Sequence, residues 1–206
     1  MVSMQRIAAG HFARRISWIG SRGSMNFIAS KGQLRASFLR WALFTVPLIL
    51  LLGFVAGNSG GPGTIWFADL AKPSIFPDPM WFGIVWTVLY LMIGLALAFI
   101  CSAWGARGRI MAIIFFLIHF IFNLAWTPTF FGAQNIEGGL YVIALANATL
   151  LVVIWAFWRV RRVAALLLLP YLAWLAFAGV LNYEFHRLNP EGGHGILLEQ
   201  SQRFEI

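Results

Sequence analysis

Long apolar runs separated by short polar gaps dominate this chain. Five runs predict helices near the length needed to cross ~30 Å of hydrocarbon, at 1.5 Å rise per residue. They cover Trp41–Gly57, Trp81–Ala103, Ile110–Phe131, Leu140–Trp158 and Val163–Phe185. Prolines at 47, 128 and 170 fall within runs. Neighbouring helices in a bundle can satisfy the carbonyls that such prolines free. Three gaps are short, at 104–109, 132–139 and 159–162, which makes sequential helices antiparallel neighbours. The longest internal gap, 58–80, is rich in Gly and Pro, and prolines at 73, 77 and 79 forbid a regular helix there.

Composition supports a lipid solvent. The 206 residues are 60% hydrophobic and 11% charged, with a mean hydropathy of +0.79. Soluble domains average ~45–50% apolar and ~25% charged. The expected fold class is therefore an all-α integral membrane protein, a bundle of five transmembrane helices occupying 41–187. Residues 1–40 form a basic extension expected to be poorly ordered, and 188–206 a C-terminal tail.

Charge refines that picture. The net charge is +8, but seven of the 15 basic residues lie in the first 40 positions, beside six serines and no acid. Such a segment reads as an organelle transit peptide or as a basic cytoplasmic extension. Loop 2 carries Arg107 and Arg109, and loop 4 carries Arg159, Arg161 and Arg162. Loop 1 (Asp69, Lys72, Asp78), loop 3 (Glu137) and the tail are neutral or acidic. This alternation fits five crossings and places the N-terminus inside and the C-terminus outside. Basic clusters beside spans are topology signals or contacts to anionic lipid, so no nucleic-acid partner is expected. The lone Cys101 excludes an intrachain disulfide and a multi-cysteine metal site, and no metal is expected.

No enzyme signature of the metalloprotease, nucleophile-elbow, phosphate-loop or dinucleotide type occurs. No span has a charge at its centre, which argues against ion-driven transport. The polar residues inside spans are Thr87, His119, Asn123, Thr127, Asn147 and Asn182. His119, Asn123 and Trp126 share one helical face. That face would suit a planar ligand with polar edges, or cross-helix hydrogen bonds within the bundle. His119 could also ligate a haem iron axially, although one histidine is little to rest on. Trp174, Ala178 and Leu181 form a second stripe, and Trp86 and Tyr90 lie one turn apart. Gly94-x-x-x-Ala98 fits helix pairing or dimerisation. Trp66 and Phe67 lie in loop 1, as a lid over a pocket between helices or as interfacial anchors.

Ordered motifs add a resemblance. They are W-F-x-x-L-x-K-P-S at 66–74, F-G-x-V-W-T-x-L-Y-L-M at 82–92, F-N-x-A-W-T-P at 122–128, P-Y-L-A-W at 170–174 and L-N-Y-x-x-x-R-L-N at 181–189. In this order, on five spans, the chain resembles the TspO/MBR family of tryptophan-rich sensory and translocator proteins, which includes the peripheral-type benzodiazepine receptor. The resemblance covers about 45–190. It implies a homodimeric five-helix bundle that binds porphyrin or haem as ligand, with no required cofactor, as a transporter or as a sensor of tetrapyrrole metabolism. It implies a bacterial membrane or the mitochondrial outer membrane. The implied ligand-binding residues are Trp66, Phe67, Trp86, Asn123, Trp126, Trp174 and Ala178. Light-dependent breakdown of protoporphyrin, ascribed to some members, would use Trp66 and Trp174 as catalytic residues. A sterol motif maps onto Leu181, Tyr183 and Arg187, which makes sterol a further implied partner. The chain departs from the family at Ile75, where many members have an aromatic, and at Pro77-Asp78-Pro79, where they have a proline pair. The lid is where it should differ.

Overall fold

The computed structural model describes residues 30–192, so most of the basic extension and the end of the tail lie outside the described residues. The chain divides into two units, Met1–Leu34 and Arg35–Ile206. In the first, the described residues form the opening turn of helix α1, Lys31–Gly57. This helix starts ten residues before the expected Trp41, and residues 31–40 are helical rather than poorly ordered. The cause is a capping box: Gln33 N donates to Ser30 Oγ (3.2 Å), and Ser30 N donates to Gln33 Oε1 (2.8 Å).

The remaining elements are α2 (Ile65–Asp69), α3 (Pro79–Cys101), α4 (Arg109–Thr127), a π-helical turn (Pro128–Gly132), α5 (Ile136–Val160), α6 (Arg162–Leu167) and α7 (Leu169–Leu188). Five spans result: α1, α3, α4 with the π turn, α5, and α6 with α7. The protein is a multi-pass integral membrane protein. Gap 58–80 is not wholly irregular, because α2 forms upstream of its prolines. Thr64 caps α2 by accepting from Phe67 N (3.3 Å). Asp78 caps α3 by accepting from Met80 N (2.9 Å), and Pro79 occupies the first turn, where no N–H is needed. Asn135 caps α5 through Gly138 N (2.7 Å). The fifth span breaks at Leu168, just before Pro170.

Spans α3 to α7 form the core. Phe116 of α4 stacks on Phe157 of α5 (6.1 Å), and Asn147 of α5 donates to Leu175 O of α7 (3.2 Å). Helix α1 is the least covered span, with 17% of its apolar stretch buried against 44% for α3. It still meets α3 closely, with Phe38 stacked on Phe99 (4.3 Å) and a close crossing at Gly94. Thr45 Oγ1 donates to Gly94 O (2.8 Å), and a Cβ on Gly94 would come within 2.7 Å of Val46 Cα. Gly94 therefore seats α1 within the protomer, and Ala98, one turn on, is also buried.

Candidate functional site

The π turn shapes the site. Pro128 has no N–H to continue the α-helical ladder, and Ala133 N instead donates to Pro128 O (2.7 Å). Thr129 Oγ1 takes up Ala125 O (2.7 Å). The widened turn brings both Phe130 and Phe131 to the bundle interior, where residues one position apart on an α-helix would diverge.

They join a chamber of about 240 Å³. Its other walls include Phe67 and Phe76 from the lid, Phe82, Trp86 and Tyr90 from α3, Trp126 from α4, and Ala178, Leu181, Asn182 and Phe185 from α7. Phe82, Trp86, Tyr90, Trp126 and Ala178 also border a smaller recess that reaches Asn123. On the α1 side, a groove of about 480 Å³ shares Gly53, Gly57, Gly83, Trp86 and Tyr90 with the chamber. Gly53 is needed there, since a Cβ would collide with the Tyr90 ring. Nine of the nineteen lining residues are aromatic, a surface suited to flat apolar guests.

Helix α2 covers the chamber. Trp66 and Phe67 are 6% and 2% exposed, so both are packed inward rather than anchored at the membrane interface. Lys72 Nζ donates to Phe67 O (3.1 Å), Ala68 O (2.9 Å) and Leu70 O (3.3 Å) and sits over the Phe67 ring. It thus takes carbonyls that a helix end leaves without partners. Asn189, past α7, clamps the lid: its Oδ1 accepts from Ala71 N (2.9 Å) and its Nδ2 donates to Ala71 O (3.0 Å). The departure at Ile75 is compensated by Phe76. Ile75 is exposed, while Phe76 packs on Phe67 (5.6 Å), Phe82 (5.4 Å) and Phe185 (5.7 Å).

Beneath the chamber runs a buried hydrogen-bond chain. Tyr90 OH donates to Asn123 Oδ1 (3.2 Å), and Asn123 Nδ2 donates to the Tyr171 hydroxyl (2.8 Å). Tyr171 lies 3.0 Å from His119 Nε2, and His119 Nδ1 lies 3.1 Å from Thr149 Oγ1. Thr149 gives its own proton to Leu145 O (2.7 Å). Thr149 must therefore accept from His119, which puts the imidazole proton on Nδ1 and makes Nε2 the acceptor for Tyr171. Every donor then points the same way, from α3 through α4 and α7 to α5. Such a chain is mutually reinforcing and ties four helices at the bundle centre.

The sequence-derived residues divide accordingly. Phe67, Trp86, Trp126 and Ala178 line the chamber, and Asn123 lines the recess. Trp66 and Trp174 line neither; each stands one ring behind the wall. Trp66 packs on Phe130 (5.7 Å) and donates to Gly192 O (3.3 Å). Trp174 packs on Phe82 (5.7 Å), and its buried Nε1 has no hydrogen-bond partner among the described residues. The stripe on α4 resolves largely into cross-helix bonding. Both ring nitrogens of His119 are engaged, so axial ligation of haem iron would break the chain. Trp126 Nε1 donates to Asn182 Oδ1 (2.9 Å), whose Nδ2 donates to Ile136 O (3.0 Å). The sterol-motif residues do not share a surface: Leu181 faces inward, while Tyr183 and Arg187 are exposed and Arg187 pairs with Glu184. Sequence reasoning did not single out Phe82, Phe130, Phe131, Phe185 or Tyr171. Tyr171 sits within the quoted P-Y-L-A-W motif, and its helical spacing to Trp174 and Ala178 was the available signal.

Residues 44–188 match the sequence model of the TspO/MBR family. A tryptophan-rich protein TspO of Chlorobaculum tepidum is 36% identical over 147 residues, 70% of this chain and 93% of that relative. A tryptophan-rich sensory protein of Cereibacter sphaeroides is 34% identical, over 72% of this chain and 92% of its own length. The human translocator protein is 34% identical over 60% of this chain and 74% of its length.

Proposed function

The chain belongs to the TspO/MBR family, and from that premise we propose that its chamber binds a tetrapyrrole, porphyrin or haem, for transport or for sensing in tetrapyrrole metabolism. The observation that carries this reading is that chamber, recess and lateral groove all border one pair of aromatic rings, Trp86 and Tyr90. At about 240 Å³ the chamber alone is below the ~300–1,000 Å³ usual for ligand clefts. The groove adjoins it between α1 and α3, behind the same residues. A flat macrocycle would stack in the chamber with one edge in the groove, so the guest arrives from the bilayer side or by lifting of the lid.

Affinity comes from stacking on Trp86, Trp126 and Phe131, since aromatic pairs contribute beyond area alone. The N–H of Trp126 is held by Asn182 and contributes rigidity rather than a bond to the guest. The N-terminus lies inside by the charge rule, in a bacterial or mitochondrial outer membrane. Titration with protoporphyrin in lipid nanodiscs tests the reading through quenching of tryptophan fluorescence. Saturable quenching is expected, with Trp126→Ala weakening affinity by ~1–3 kcal/mol, the scale for aromatic–base stacking. Linear, non-saturating quenching identical in the variant would refute it.

Breakdown of protoporphyrin is a second reading, favoured by one observation: Trp66 and Trp174 each stand one aromatic ring from the chamber. They would then act through Phe130 and Phe82 rather than by touching the guest. Loss of light-dependent turnover in Trp66→Phe and Trp174→Phe, with binding retained, is the result this reading requires.

A further inference from the structure

The lidless end of the bundle carries charge that the chamber does not use. Arg35, Arg40, Arg107, Arg109, Arg159, Arg161 and Arg162 lie on segments at that end. The described acids, Asp69, Asp78, Glu137, Glu184 and Glu191, all lie on segments at the other. The one ion pair among the described residues, Arg187 with Glu184, is also at the lid end. No described carboxylate therefore neutralises these guanidinium groups. Several instead lie over indoles: Arg109 on Trp104 (4.3 Å), Arg159 on Trp155 (5.5 Å) and Arg162 on Trp158 (5.5 Å).

One place on this rim is concave. Ser37, Arg40, Trp41 and Phe44 of α1 and Trp104 of loop 2 line a groove of about 510 Å³. Trp41 and Trp104 form its floor, with ring centroids 6.4 Å apart, and Arg109 caps Trp104. Arg40 binds Ala36 O through Nε and Arg109 binds Ile100 O through Nε, and the terminal amino groups of neither have a hydrogen-bond partner among the described residues. Phe44 continues the groove toward the membrane interior, along the exposed apolar flank of α1 at Leu43, Leu51 and Phe54. The order from the rim inward is guanidinium, indole, then hydrocarbon.

We propose that this groove binds an anionic glycerophospholipid. The phosphate accepts hydrogen bonds from Arg40 and Arg109, because guanidinium matches phosphate oxygens bidentately. The glycerol lies on the Trp41 and Trp104 indoles at the depth where interfacial tryptophans reside. One acyl chain follows Phe44 down α1. A soluble anion would use the arginines alone and leave the apolar side of the groove uncovered. Because α1 has little cover of its own, a lipid held here also braces it against α3.

Native mass spectrometry of the full chain from nanodiscs of phosphatidylcholine and phosphatidylglycerol in equal amounts tests the proposal. The wild type should retain phosphatidylglycerol over phosphatidylcholine by about tenfold, the scale of two basic contacts at an anionic surface after screening. Arg40→Gln with Arg109→Gln should abolish that preference, while Arg159→Gln with Arg162→Gln, equal in charge, should leave most of it. Ser37→Glu, on the groove lip, should also abolish it without disturbing the core. Adding millimolar glycerophosphoglycerol, the headgroup without chains, should displace little. Three results would each overturn the site: no preference in the wild type, equal loss in both double variants, or full displacement by the free headgroup.

Discussion

Lys72→Met should open the lid without unfolding the bundle. The ammonium bonds the carbonyls of Phe67, Ala68 and Leu70 and lies over the Phe67 ring, so one side chain terminates α2 and holds its aromatic to the chamber. A single hydrogen bond to a charged group contributes about 1.5–3 kcal/mol. Three bonds share one charge here, and the side chain is exposed, so the low end applies and the sum is not three times the single value. Methionine keeps an apolar stem and removes the donors together with the charge over the Phe67 ring. Taking about 1.5 kcal/mol, the open-lid population rises roughly tenfold. Amide exchange at 64–72, followed by mass spectrometry in nanodiscs, should accelerate by that factor, while exchange in α4 and α5 stays unchanged. Dissociation of a bound porphyrin should accelerate equally if the lid limits release. Unchanged exchange at 64–72 would refute the capping role. Faster exchange with unchanged dissociation would refute the lid as the gate and direct release to the groove between α1 and α3.

Asn182→Leu removes the acceptor of Trp126 Nε1 and the donor to Ile136 O, and should lower resistance to SDS unfolding by about 1–2 kcal/mol, with a disordered Trp126 environment seen by near-UV circular dichroism. His119→Phe leaves the Tyr171 hydroxyl without its acceptor and should cost about 1–2 kcal/mol in the same unfolding assay, more than Thr149→Val at the far end of the chain. Ser30→Ala should fray the first turn of α1 at a cost of about 0.5–2 kcal/mol, read as faster amide exchange confined to 31–34.

The spans were legible because lipid imposes length and apolarity, signals that survive without any tertiary information. Their ends were less so. A hydropathy reading starts α1 at Trp41, where the greasy run begins, but the helix begins at its cap, and Ser30-x-x-Gln33 was the signal to follow. Helix α2 was hidden by its own brevity and by the prolines that follow it. Much of the chamber wall was legible as motif residues, since Trp86, Trp126 and Ala178 lie on regular helices whose faces can be counted. Phe130 and Phe131 were not, because the π turn after Pro128 changes the angular step and no helical wheel drawn through that segment would aim both rings inward. Spacing also could not tell whether a polar stripe faces a ligand or a neighbouring helix. His119 and Asn123 face Tyr171, and only the three-dimensional pairing reveals it.

The chamber is most directly tested by filling it. Ala178 borders both chamber and recess, and a leucine there would place its side chain into a space of about 240 Å³. Protoporphyrin affinity of the wild type and of Ala178→Leu, measured by saturable tryptophan quenching in nanodiscs with folding checked by circular dichroism, decides the matter. The folded variant should lose binding by at least about tenfold, the order of a single aromatic contact or more. Equal affinity in wild type and variant would place the porphyrin somewhere other than this chamber.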